Sequence, residues 1–386
     1  MKISFSKKMN SFNDSIFNVL NKKIAEYSKS GKPIYNFSIG TPDFKPAKHI
    51  MEVLSEEAKY PDNYKYAITD REELLSAAKN WYKRRYNVSL DLSEIMSVYG
   101  SQEAISRIFY TLCDSGDIVL VPNPGYPIFS VGPDLCGAKV EYYNLYKENN
   151  FMLDFNDIPE DVAKKAKVIV VSYPLNPVCT LATDEFYINL IEFAKKYNIV
   201  VIHDNAYSDI VYDGKIGKSF LSFDGAKEVG VEVNSLSKAY NMTGARISFV
   251  LGNKEIVEKF KILRSQVDYG IFLPIQKAAI AALNGPQDEV LKNRIEYQAR
   301  RDALCDGLKN IGFDIERSQG TMFAWSKIPS KYKSSEEFTL DLLDKTGVAV
   351  VPGSTFGSLG EGFVRLALVI SVEKIKEAVK VIEENL

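Results

Sequence analysis

Histidine is almost missing from this chain: His49 and His203 are the only two in 386 residues. The four cysteines, Cys113, Cys136, Cys179 and Cys305, are scattered without CxxC spacing. These residues offer no metal-ligand pattern, and structural thiols in a reducing compartment are the reading that fits. Charge of one sign is lacking as well. The net charge is −2 with acids and bases interleaved, so there is no basic field for nucleic acid or an anionic membrane surface. No apolar run reaches the ~18 residues of a membrane span, and the polar segment 1–21 has no signal-peptide core. A cytoplasmic protein acting on small molecules is the expectation. What is present suits a packed core: 46% hydrophobic and 25% charged residues. The length exceeds one typical core, so two lobes are expected.

Short β-branched runs at 117–122, 168–172, 199–204, 231–235 and 247–252 alternate with helical patterns. They predict an α/β domain with a mostly parallel sheet covered by helices. Between the second and third runs, Phe186, Ile188, Leu190, Ile191 and Ala194 recur at a helix period, which predicts a crossover helix over 184–198. After Gly285-Pro286 a long charged helix passes through Arg294, Arg300 and Arg301. Short strands near Phe313, 322–325 and 348–351 and a helix after Ser371 follow. This predicts a smaller α+β lobe with its boundary near Asn284.

The sharpest segment is Ser235-Leu-Ser-Lys238, followed by Gly244-Ala-Arg246. Lys238 emerges where a strand ends, the place at which open α/β sheets bind ligands. A lysine amine attacks an aldehyde when its protonated form is disfavoured, and Arg246 would add to the field that does this. Ser235, Ser237 and Arg246 are suitable donors to a phosphate. Taken alone, Ser-x-Ser-Lys is also what a solvent-facing turn looks like. Gly100-Ser-Gln opens an apolar helix, whose N-terminus is an anion site with Ser101 and Gln102 as further donors; Ser101 is equally a plain N-cap. Asp204 closes an apolar strand and needs a partner, either a pyridinium nitrogen or a helix end to cap. Tyr207 and Asn176 can donate to a phenolic oxygen, although Asn176-Pro177 also reads as a turn. Tyr126 offers a ring that stacks on a planar cofactor or packs in a core. Arg365, in the apolar run 362–368, requires an anion, whether a substrate α-carboxylate or a structural partner.

In order along the chain, Ser38-Ile-Gly-Thr-Pro-Asp-Phe44, the Gly100 segment, Pro124-Gly-Tyr-Pro127, Asn176-Pro177, Asp204 with Tyr207, the Lys238 segment and Arg365 resemble class I/II aminotransferases of fold type I. The resemblance implies pyridoxal-5′-phosphate (PLP) as cofactor and a large PLP-binding domain over 46–284. It implies a small domain over 285–386, joined by an N-terminal arm over 1–45, and a homodimer with active sites at the interface. It assigns Lys238 to the cofactor aldehyde and to proton shuttling, and Asp204 to the pyridine nitrogen. Tyr207 and Asn176 go to the phenolic oxygen and Tyr126 to ring stacking. Phosphate falls to Ser101, Gln102, Ser235, Ser237 and Arg246, with Tyr66 reaching it from the neighbouring subunit. Arg365, with Asn176 and the Gly40 backbone, is assigned to the substrate carboxylate.

The segments 204–208, 234–244 and 353–362 look most like the LL-diaminopimelate and aspartate aminotransferase group. That implies ping-pong transfer of an amino group from LL-diaminopimelate or an aspartate-like donor to a 2-oxo acid, 2-oxoglutarate above all. A β-lyase on the same scaffold is the alternative, since fold does not fix which bond breaks. A PLP-sensing regulator fits less well, because little chain precedes Gly40 to hold a DNA-binding domain. Three departures from the family pattern fall in loops or at strand starts: Asp70 for a usual glycine, Val178-Cys179-Thr180 for Pro-Thr-Gly, and Ser248 for Gly or Ala.

Overall fold

The computed structural model of the chain describes residues 3–12, 16–29, 31 and 33–386. Two compact units are present: a larger one, Thr41–Gln298 with Ser318–Met322, and a smaller one, Ala299–Arg317 and Phe323–Leu386 with the N-terminal segment to Gly40.

The larger unit is built on seven strands: β1 (Ile95–Val98), β2 (Ile118–Asn123), β3 (Lys139–Asn144), β4 (Ala166–Ser172), β5 (Val200–Asn205), β6 (Gly230–Ser235) and β7 (Ser248–Gly252). Their order across the sheet is β1-β7-β6-β5-β4-β2-β3. All neighbours are parallel except β7, which runs antiparallel to both β6 and β1. The reversal has a local cause. Parallel neighbours need a long crossover, and the short segment between β6 and β7 holds only a one-turn helix, α4 (Leu236–Ala239), and a 3-10 turn. Strands β4, β5 and β6 are buried on both faces, which is why β4 and the first half of β5 read as continuous apolar runs rather than alternating ones. The edge strand β3 carries exposed Lys139, Glu141 and Tyr142 and has no such signature.

Helices α1 (Glu72–Tyr86), α2 (Ser101–Leu112) and α3 (Asp184–Tyr197) belong to this unit. In α3, Thr183 accepts a bond from Phe186 N at 3.2 Å, acids open the first turn and lysines close the last, and Asn198 ends it at φ 56°. Phe186, Leu190, Ile191 and Ala194 are buried, whereas Ile188 is exposed because it lies off that stripe.

The smaller unit contains a three-stranded antiparallel sheet of β8 (Phe323–Lys327), β9 (Val351–Pro352) and β10 (Phe363–Ala367), in the order β9-β10-β8. Tyr35–Asn36 pairs in parallel with Val348–Ala349, so the N-terminal segment is part of this unit. The long helix α5 (Asp288–Asn310) begins just after the composition change at Asn284, and packing passes from one unit to the other within it. Among the described residues no helix is long and apolar enough to cross a membrane.

Candidate active site

Topology gathers the sequence-predicted residues of the larger unit, Tyr66 excepted, at one edge of its sheet. Asn176 follows β4, Asp204 and Tyr207 stand at the end of β5, Ser235 closes β6 with Lys238 just beyond it, and Tyr126 follows β2. These strands are parallel, so their carboxyl ends share an edge. Because β7 is antiparallel to both β6 and β1, Arg246 at its entrance and Gly100 after β1 come to that edge too.

Side-chain contacts tie several of these residues together. The Arg246 guanidinium lies against Gly100: a Cβ on Gly100 would stand 2.8 Å from Arg246 Cζ and closer still to Nη2. Gly100, at φ 87°, is the N-cap of α2 and supplies no side-chain cap. Ser101 is therefore the first helical residue and not the capping one, a correction to the N-cap reading. Its turn begins with backbone N–H groups that have no partner within the helix, next to a guanidinium. Tyr126 OH lies 3.4 Å from Gln102 Oε1, joining the ring to the same helix end. Ser235 caps α4 by accepting from Ser237 N at 3.1 Å, and Ser248 Oγ donates to Ser235 Oγ at 2.8 Å. Ser248, one of the departures, thus orients a proposed phosphate ligand. Arg246 itself is held at φ 52° with Nη1 donating to Thr243 O at 2.9 Å.

Asp204 belongs to β5, so it caps no helix, and that alternative is closed. It is 7% exposed, and its Oδ1 has no hydrogen-bond partner. Burial pushes its carboxyl up to about 7, against the pull of His203, the Ala206 N–H and Lys238. A buried carboxylate oxygen without a donor is the complement of a cationic N–H group. A guanidinium beside a helix N-terminus and two serines is the complement of a phosphate. Both halves of PLP fit the residues present.

Asn176 and Tyr207 are buried at the same edge. Tyr66 stands outside this set: it is 77% exposed, and its ring meets Tyr269 at 4.9 Å. Arg365 and Gly40 belong to the smaller unit. Arg365 on β10 is 3% exposed, with its Cζ 4.1 Å from the ring centroid of Phe323 and 4.9 Å from that of Phe356, so two aromatic faces fix the guanidinium. Of the other departures, Asp70 accepts from Ser97 N at 2.7 Å and Ser97 Oγ at 2.5 Å, which ties the loop before α1 to β1. Cys179 sits at φ 65° with its N–H closing a turn onto Leu175 O at 2.6 Å. All four cysteines are free thiols, and among the described residues no group of three or more His, Cys, Asp or Glu is placed to hold a metal.

Sequence reasoning missed two features. Gly100 was read as part of a helix start and not as the seat of Arg246. Glu232 was passed over inside the run 231–235, although a glutamate in an otherwise apolar strand is itself a signal.

Comparison with known proteins gives the family. The family model described as aminotransferase class I and II matches residues 32–382. An LL-diaminopimelate aminotransferase of Dehalococcoides mccartyi is 41% identical over 379 residues, covering 98% of this chain and 97% of that protein. One from Aquifex aeolicus is 39% identical, covering 97% of each. Among solved structures, substrate-bound BacF from Bacillus subtilis superimposes with a TM-score of 0.95 at 32% identity, covering 100% of this chain and 98% of that one.

Proposed function

Since this chain belongs to the class I and II aminotransferases and is an enzyme that transfers amino groups, we propose that it uses PLP and takes LL-diaminopimelate or an aspartate-like amino acid as donor, with 2-oxoglutarate as acceptor. The observation that carries the cofactor assignment is the buried, unpartnered Oδ1 of Asp204 at the sheet edge that also presents Lys238 and Arg246. The donor assignment is supported by the relatives named LL-diaminopimelate aminotransferases at 41% and 39% identity.

PLP, when bound, supplies an aldehyde carbon that accepts the amino group and a ring that draws electrons from the substrate α-carbon. Asp204 keeps a proton on the ring nitrogen through a charge-assisted contact. Tyr207 and Asn176 would donate to the phenolic oxygen, and Tyr126 would supply the stacking ring. Arg246, Ser101, Gln102, Ser235 and Ser237 bind the phosphate, with Tyr66 donated by a second subunit. Lys238 Nζ would hold the cofactor aldehyde carbon and would serve as the base that carries the proton taken from the substrate α-carbon. Arg365, pre-oriented by Phe323 and Phe356, would bind the substrate carboxylate with a bidentate fork. We place the enzyme in the cytoplasm as a homodimer.

The test pairs chemistry with location. Borohydride reduction of the PLP-treated protein should fix the cofactor on the peptide carrying Lys238, and a panel of amino donors should give 2-oxoglutarate-dependent transfer, fastest with diaminopimelate. A protein that stays colourless with PLP, or that yields pyruvate and ammonia without an acceptor, would remove this reading.

A further inference from the structure

Next to Asp204, a buried histidine–glutamate pair remains that none of the chemistry above uses. His203 and Glu232 are register partners on β5 and β6, and both side chains are wholly buried. His203 Nδ1 lies 2.9 Å from Glu232 Oε2. The same carboxylate accepts from Tyr82 OH at 2.7 Å, Asn205 Nδ2 at 3.0 Å, Ser219 Oγ at 2.8 Å and Phe220 N at 2.8 Å. A carboxyl group encircled by donors is stabilised in its ionised form, and although burial pushes the Glu232 carboxyl upward, these bonds, led by the one from His203, bring it below the usual range.

Asp204 is the chain neighbour of His203, about 3.8 Å away at Cα. Side chains alternate along a strand, so the two point to opposite faces of the sheet. Two buried carboxylates on adjacent strands repel each other unless a cation lies close by. The groups facing His203 are Glu232 from β6, Tyr187 from α3 with its hydroxyl 3.3 Å from Nε2, and the Phe220 ring; Tyr82 reaches Glu232 from α1. Of these, the imidazole alone can carry positive charge, while Lys238 acts on Asp204 from beyond β6. Burial dominates the state of Asp204, and the pull of His203 on it outweighs the push of Glu232.

We propose that Glu232 keeps a second proton on His203 and that the resulting imidazolium holds Asp204 ionised, so that the pair is a positioning device for the charge that meets the cofactor's ring nitrogen. This rests on the reading of Asp204 as the partner of the PLP nitrogen.

The full chain loaded with PLP carrying 15N in its ring gives a readout independent of turnover, because the 15N shift reports whether that nitrogen is protonated. The variants are His203→Gln, Glu232→Gln and the two combined. His203→Gln leaves the Glu232 anion uncompensated beside Asp204, so the proton moves from the ring toward Asp204 and the 15N shift moves furthest toward the unprotonated value. Glu232→Gln and the double variant carry neither charge, so they match each other and fall between His203→Gln and the unchanged protein. The order in kcat is the same, His203→Gln falling furthest, with a smaller change in KM for the amino donor. A purely structural role predicts instead that the double variant is the most impaired and that ring protonation stays constant wherever cofactor binds; either result overturns the proposal. If His203→Gln does not fold, an unshifted 15N signal in Glu232→Gln has the same force. Failure of the unmodified protein to bind PLP at all is a separate outcome, which overturns the underlying cofactor reading and the proposal with it.

Discussion

Asp204 shows how one residue can carry a cost that only a ligand relieves. Its carboxyl ordinarily titrates near 3.8, and burial lifts it to about 7. The folded protein therefore binds this proton more tightly than the unfolded chain does, and stability falls as pH rises from the lower value to the higher one. Above that window the ionised, unpartnered oxygen remains a fixed penalty. Asp204→Asn removes the titration. The cofactor-free variant should match the cofactor-free parent in stability near pH 3.5 and exceed it by up to roughly 4 kcal/mol near pH 8, the window set by the two values. Denaturant melts at the two pH values measure this directly, and equal gaps at both would mean that Asp204 is not the group that titrates. The same substitution should abolish transfer, so stability and activity move in opposite directions at one position.

At the scale of the element, the N-terminus of α2 and the arginine beside it form one device, and Gly100 is its hinge point. A Cβ there meets the Arg246 guanidinium, and φ 87° is strained for any other residue. Gly100→Ala should displace Arg246 and lose one charge-assisted phosphate contact of roughly 1.5–3 kcal/mol, which corresponds to roughly ten- to hundredfold weaker PLP affinity. Fluorescence titration of the cofactor-free protein checks it, and unchanged affinity would show that Arg246 does not hold phosphate. This device was half legible. Its donors are written in the sequence as Ser101, Gln102 and Arg246, but Arg246 meets Gly100 only because β7 runs backwards between β6 and β1. Strand direction is a tertiary property that apolar runs do not encode. Helix α3 was legible to within a residue because caps, charge and stripe all agree over 184–197. Strands β1 and β3 were not read, one being four residues long and the other half-polar. Glu232 hid for another reason: its partner Tyr82 lies 150 residues away along the chain, and His203 meets it only once β5 and β6 pair.

At the scale of the molecule, the larger unit displays apolar surface that a monomer has no use for. Tyr64, Tyr66, Ile68, Val267, Tyr269 and Phe272 are all exposed. Tyr64 meets Phe272 at 5.2 Å and Tyr66 meets Tyr269 at 4.9 Å, so the two segments form one patch. Contiguous apolar surface of this kind marks an interaction site. A second copy is the occupant that the resemblance implies, and it would also explain why Tyr66, assigned to phosphate, faces outward from its own subunit. Light scattering should then give twice the mass of one chain at micromolar concentration. Replacing Ile68 and Tyr269 by Asp should shift that mass toward the monomer and weaken PLP binding together, since the partner's tyrosine leaves with the partner. Replacing Tyr66 by Phe should weaken PLP binding while the mass stays doubled, because only the hydroxyl is lost. A dimer in which Tyr66→Phe binds PLP as the parent does would separate assembly from the site, and a monomer at high concentration would leave the patch to some other surface.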